Sequence, residues 1–183
     1  MDGAAESDSL SGMTDERPDA GEHGEYFGRY VARVPDGDVL ATLRRQAGET
    51  AALLADFGEA RGGFRYAAGK WSVKEVVGHL VDCERVFVYR ALTFARGDRG
   101  PLPGFEQDDF VRDANFDART LASLAEELAL VRRSSLALFE GLDEDAWLRS
   151  GHANDTELSV RAVPWILAGH EHHHVAVLRD RYL

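Results

Sequence analysis

Ser72-Val73-Lys74-Glu75, running on into Val76-Val77-Gly78-His79-Leu80-Val81-Asp82, is the stretch on which the fold turns. Ser-x-x-Glu just ahead of an apolar run is the capping-box pattern, in which each side chain satisfies a backbone N–H left over at a helix start. Beyond it Val76, Val77, Leu80, Val81, Val86, Phe87, Leu92 and Phe94 recur at helical spacing up to Arg96-Gly97. That is the period of a helix with one apolar face. The stretch predicts a helix from Ser72 to about Arg96.

Three more such patterns surround it. Upstream, Val39, Leu40, Leu43, Ala47, Ala51, Leu54 and Phe57 predict a helix from near Pro35-Asp36 to about Phe57, stopped by Gly58 and Gly62-Gly63. Downstream, Leu121, Leu124, Leu128, Val131, Leu136 and Leu138 predict one from about Ala118 to Glu140. The last runs from near Ser159 to Arg181, with Pro164 close to its start, where a missing N–H costs least. Links 58–71 and 141–158 are moderate, but the link from Gly97 to Asp117 is long, with two prolines and three glycines. A loop of that length in a compact domain usually serves function or wraps a face. No alternating strand pattern stands out. The expectation is an all-α four-helix bundle with a long loop between the second and third helices.

Composition narrows the function classes. The 183 residues, 44% hydrophobic and 29% charged, suffice for one domain with a full core. Residues 1–25 hold eight acids and one base, Arg17, and so contribute −7 of the net −11. With few bulky apolar residues, this stretch is expected to be a flexible acidic tail, with His23 exposed in it, ahead of a domain spanning 26–183. An acidic body without a basic stripe argues against a nucleic-acid partner. No apolar run approaches the roughly 18 residues of a membrane helix, and residues 1–25 lack the apolar stretch expected of a secretion signal. A single cysteine, Cys83, excludes an internal disulfide framework, which fits the cytoplasm. The partner left to expect is a small-molecule substrate.

The chemistry points to histidine. Four of the seven histidines lie in Gly169-His170-Glu171-His172-His173-His174. His170 and His174 are four apart and share one helix face, a spacing that suits two ligands on one transition-metal ion. His172 and His173 point elsewhere, and His152 falls in a loop. His79, inside the second helix beside Gly78, is the candidate third ligand. Three histidines from two helices would leave coordination positions open, as catalytic rather than structural sites do. Asp82 and Glu75, three after and four before His79, share its face and are the candidate catalytic carboxylates, placed to orient an imidazole or accept a proton. Glu171 can instead point away as a surface acid. Phe105, Phe110 and Phe116 of the long loop are candidates to cover a substrate pocket, Trp71 and Trp165 are read as core anchors, and Cys83 as a small buried residue. His170-Glu171-x-x-His174 also matches the HExxH pattern of zinc proteases, but only nine residues follow and none is a histidine.

The segments Tyr66-Ala67-Ala68-Gly69-Lys70-Trp71-Ser72, Lys74 to Asp82, Glu84 to Leu92, Pro101-Leu102-Pro103-Gly104-Phe105 and Gly169-His170-Glu171 with His173-His174 together resemble the DinB/YfiT-like superfamily, in its DinB-like branch, over about Tyr26 to Leu183. The resemblance implies an up-down-down-up four-helix bundle and a homodimer. It also implies a divalent metal on His79, His170 and His174, zinc or nickel first, with iron or manganese as further choices. Relatives include transferases that use a low-molecular-weight thiol as cosubstrate, so the resemblance implies a metal-dependent transferase or hydrolase. The rival from another class is a non-catalytic, metal- or small-molecule-binding stress-response bundle. Pro164 departs from the family pattern.

Overall fold

The structure is a computed structural model that describes residues 12–183. Helices α1 (Glu25–Val31), α2 (Val39–Arg61), α3 (Val73–Ala95), α4 (Gln107–Ala114), α5 (Leu121–Glu140), α6 (Glu144–Leu148) and α7 (Ala162–Tyr182) follow one another, with a hairpin of β1 (Ser150–Ala153) and β2 (Thr156–Ser159) ahead of α7. The four long helices α2, α3, α5 and α7 are the four expected. The α3 capping box is present as read: the Glu75 amide donates to Ser72 Oγ (3.0 Å) and the Ser72 amide to Glu75 Oε2 (2.7 Å). Thr120 caps α5 and Asp38 caps α2 through their side chains. Gly58, at φ 62°, breaks α2 where the glycine predicted a stop, yet helix resumes to Arg61.

Cross-links between helix ends set the directions. Glu59 near the end of α2 meets Lys74 at the start of α3 (2.6 Å) and the Leu121 amide at the start of α5 (2.7 Å). Arg44 at the start of α2 meets Glu140 at the end of α5 (2.6 Å). Gln46 in α2 donates to the Ala168 carbonyl in α7 (2.9 Å), and Arg61 donates to the Tyr182 carbonyl. So α3 and α5 run against α2 while α7 runs with it, the up-down-down-up order. Residues 96–120 carry the chain back along the bundle between the parallel pair α3 and α5.

Three expectations change. The long loop holds α4 and a short 3₁₀ turn, Phe116–Ala118. A hairpin appears where no strand pattern was seen, because its strands are four residues each, too short for alternation to register. The acidic stretch is packed where it is described. The Arg17 guanidinium donates to the carbonyls of Val31 and Val34 and to Asp36, and lies over the Trp165 ring. Glu16 and Glu22 pair with Arg161 just ahead of α7, and His23 is buried. The tail reading counted only apolar area. These residues are held instead by charge-assisted hydrogen bonds. Its portion over 1–11 lies outside the described residues.

Two apolar clusters fill the bundle. One gathers Leu43, Phe87, Phe94, Phe139, Trp147 and Trp165; the other Leu54, Leu80, Phe116, Leu124, Leu128 and Leu178. Between them lies a polar layer: Gln46 and Thr50 of α2, His79 and Glu84 of α3, Arg132 of α5, and His170, Glu171 and His174 of α7.

Candidate metal centre

The histidine half of that layer rests on α3 and α7. His79 is 2% exposed in the interior of α3. His170 and His174, one turn apart on α7, face it, and the ligand atoms of all three lie within 4.8 Å of one another. Ring centroids stand 5.0 Å apart for His79–His170, 4.9 Å for His79–His174 and 4.6 Å for His170–His174. The two glycines beside these histidines admit close neighbours. At Gly169 a Cβ would fall 1.9 Å from the Tyr30 carbonyl oxygen, so α1 lies directly on α7 and the Tyr30 ring meets His170 edge-on at 5.2 Å. At Gly78 it would fall 2.4 Å from the Phe116 ring, so this glycine seats a loop aromatic.

Burial keeps the imidazoles neutral. Desolvation lowers His79 to about 4; burial and the neighbouring His79 and His173 lower His174 to about 3; and burial, then His174 and His79, hold His170 well below the ordinary value. A neutral imidazole is the ligand form. His79 Nε2 and His170 Nε2 are 3.1 Å apart. Two nitrogens on one zinc at about 2.0–2.1 Å, at angles between square and tetrahedral, stand about 2.8–3.4 Å apart. The donor set and its spacing fit a divalent cation.

The carboxylates expected beside His79 are engaged elsewhere. Glu75 Oε2 is taken by the Ser72 amide and by Arg65 (2.9 Å), so the residue closes the helix cap. Asp82, half-buried and raised by that burial, lies 3.9 Å from Arg85, which pairs with Glu127 of α5. No hydrogen bond joins either acid to a site histidine among the described residues. Glu171 corrects the surface expectation. It is 3% exposed, accepts from Thr50 Oγ1 (2.5 Å) and pairs through its other oxygen with Arg132 (2.6 Å). Arg132 also grips Glu84 with two bonds (2.9 and 2.8 Å) and donates to the Leu43 carbonyl (3.0 Å). The HExxH reading needs Glu171 as a free base on the metal side, and its two oxygens are occupied on the opposite face. Glu84 and Arg132 were missed, although each is a charge at an apolar-face position, Glu84 between Leu80 and Phe87, Arg132 four after Leu128.

Two cavities flank the histidines. The larger, about 330 Å³, is lined by His170, Cys83, Phe27, Phe87, Phe105 and Arg90, among others. The smaller, about 280 Å³, meets His174, Trp71, Lys70 and Tyr182. Of the three loop aromatics Phe105 lines one of these two cavities; Phe110 packs on Phe105 at 4.9 Å and stays exposed, and Phe116 is core. Trp71 is more than an anchor, since its ring lies 4.7 Å from His79. Trp165 is wholly buried, as expected. Cys83 is buried with its Sγ 3.5 Å from His79 Nδ1, and burial pushes the thiol up to about 12.

An up-down-down-up helical bundle with a three-histidine cluster between its last and second long helices defines the class. A family profile of the DinB superfamily matches residues 42–178, and the chain belongs to that superfamily. Among solved structures it is similar to YfiT from Bacillus subtilis, described as a probable metal-dependent hydrolase with an unusual four-helix bundle topology. The two share 16% identity and a TM-score of 0.67 over 94% of this chain and 95% of that one. No curated protein matches the chain. No helix among the described residues is long and apolar enough to cross a membrane.

Proposed function

We propose that this protein is a divalent-metal-dependent enzyme acting on a small molecule, with His79, His170 and His174 holding the metal and zinc or nickel as the ion. A cation on three neutral imidazoles supplies a lowered pKa to a bound water or low-molecular-weight thiol, which suits hydrolysis or thiol transfer. The chain's own residues prepare the site. Burial keeps the three rings in their ligand form. Tyr30 and Trp71 pack against His170 and His79 and fix the ring planes. Phe27, Phe87 and Phe105 give the chamber that His170 faces an aromatic wall. The observation that carries the reading is the convergence of three neutral imidazoles, one of which, His170, lines a chamber of about 330 Å³. YfiT, called a probable metal-dependent hydrolase, adds weight by likeness of fold.

The test is turnover. Metal-loaded protein is expected to hydrolyse an activated ester or to consume a small thiol with an electrophile, and a chelator should remove the activity. Full metal loading with no turnover over a broad panel of esters, thiols and electrophiles would leave the non-catalytic binding bundle as the better account.

A further inference from the structure

Arg90 of α3 is 3% exposed and lines the same chamber as His170. Among the described residues its one side-chain hydrogen bond runs from Nη2 to the Pro103 carbonyl (3.0 Å). Its guanidinium carbon lies 5.1 Å from the Phe87 ring centroid and 6.0 Å from that of Phe105. Among the described residues no carboxylate comes within ion-pairing distance of it. The other two buried arginines differ: Arg132 is held by Glu84 and Glu171, and Arg161 by Glu16 and Glu22. A buried cation without a counter-ion is costly, and contact with two aromatic faces offsets only part of that cost. A guanidinium carries five N–H donors in a planar fork shaped for a carboxylate or phosphate. Glu25 and Glu106, exposed on the lining of this chamber, disfavour a doubly charged group there.

We propose that Arg90 anchors a singly charged carboxylate of the substrate, whose apolar body lies against Phe27, Phe87 and Ile166 and whose far end meets His170. This rests on the chamber being the substrate site of the proposed metal enzyme. The proposal deepens that reading by naming the substrate class as a monocarboxylate with an apolar body.

The experiment is calorimetric titration of the protein as purified with benzoate, phenyl phosphate and benzamide, each repeated after chelator treatment. Benzoate is expected to bind at least about tenfold more tightly than benzamide, and more tightly than phenyl phosphate. Arg90→Gln should weaken benzoate by about ten- to a hundredfold, Arg90→Lys by less, and neither should alter metal content. Equal affinity for benzoate and benzamide in the unaltered protein overturns the proposal even if Arg90→Gln does not fold. So do a preference for phenyl phosphate and an absence of benzoate binding at millimolar concentration. Benzoate binding that chelation removes but Arg90→Gln leaves intact places the anion on the metal; the anchor then falls and the metal reading stands. Binding that survives chelation and fails in Arg90→Gln supports the anchor whatever becomes of the metal.

Discussion

The two faces of α7 meet the polar layer of the bundle in opposite ways. On one face Glu171 joins Thr50, Arg132 and Glu84 in a network in which both of its oxygens and three guanidinium nitrogens have partners. On the other, His170 and His174 meet His79 as neutral rings that border cavities. Both groups are polar and share one cross-section, the first buried and the second partly exposed at His170 and His174. The first is closed and charged, and it ties all four long helices at one level. The second has ring nitrogens whose neighbours are the Cys83 thiol and one another, with room left for a cation. A polar group whose partners are complete fixes geometry, while one left open beside a chamber is available for chemistry.

The largest effect is expected on the closed face. Arg132→Met leaves two carboxylates without their cation, a change that costs about 3–5 kcal/mol, read as a lower urea midpoint. An unchanged midpoint would show that the network contributes nothing to holding the helices. Gly169→Ala comes next. Its Cβ would collide with the Tyr30 backbone, and overpacking of this kind costs about 1–3 kcal/mol; α1 should loosen, seen as faster amide exchange over 25–31.

Acid separates the faces. The imidazoles titrate lower folded than unfolded, so between about pH 6.5 and their folded values the unfolded chain binds more protons. The histidine contribution to the stability of metal-depleted protein should therefore be level above pH 6.5. It should fall as pH drops toward 4, the window set by His79, and further toward 3, that of His174. Each site adds a slope of about 1.4 kcal/mol per pH unit inside its window. His79→Leu should flatten part of that slope, and a slope the same in both proteins would contradict the assignment. The smallest effect belongs to Glu75→Gln, which weakens a cap and an ion pair by about 0.5–1 kcal/mol and should leave metal binding untouched. Loss of metal there would restore Glu75 to the site.

Much of this was legible in the chain. Four helices of twenty residues or more repeat their apolar period often enough to be read, and the α3 cap was visible in four letters. His79, His170 and His174 could be joined because helical spacing fixes which residues share a face. The short elements had no such repetition. Asn154 and Asp155, both at positive φ, make the two-residue turn of the hairpin, and that pair was its one readable signal. The packing of residues 12–25 escaped because it depends on arginines meeting distant partners, Arg17 at Val34 and Arg161 at Glu22. The partners of Asp82, Glu75 and Glu171 could not be read for a related reason. Spacing tells which side of a helix a carboxylate occupies, but not which competing donor, such as Arg65 or Arg132, captures it first.

Elemental analysis of protein purified without an affinity tag bears most directly on the centre. The account predicts close to one divalent ion per chain in the unaltered protein and in His172→Ala, whose side chain lies outside the cluster, and little or none in His170→Ala. Equal metal content in the two variants, or none in the unaltered protein after growth with zinc or nickel, would contradict it.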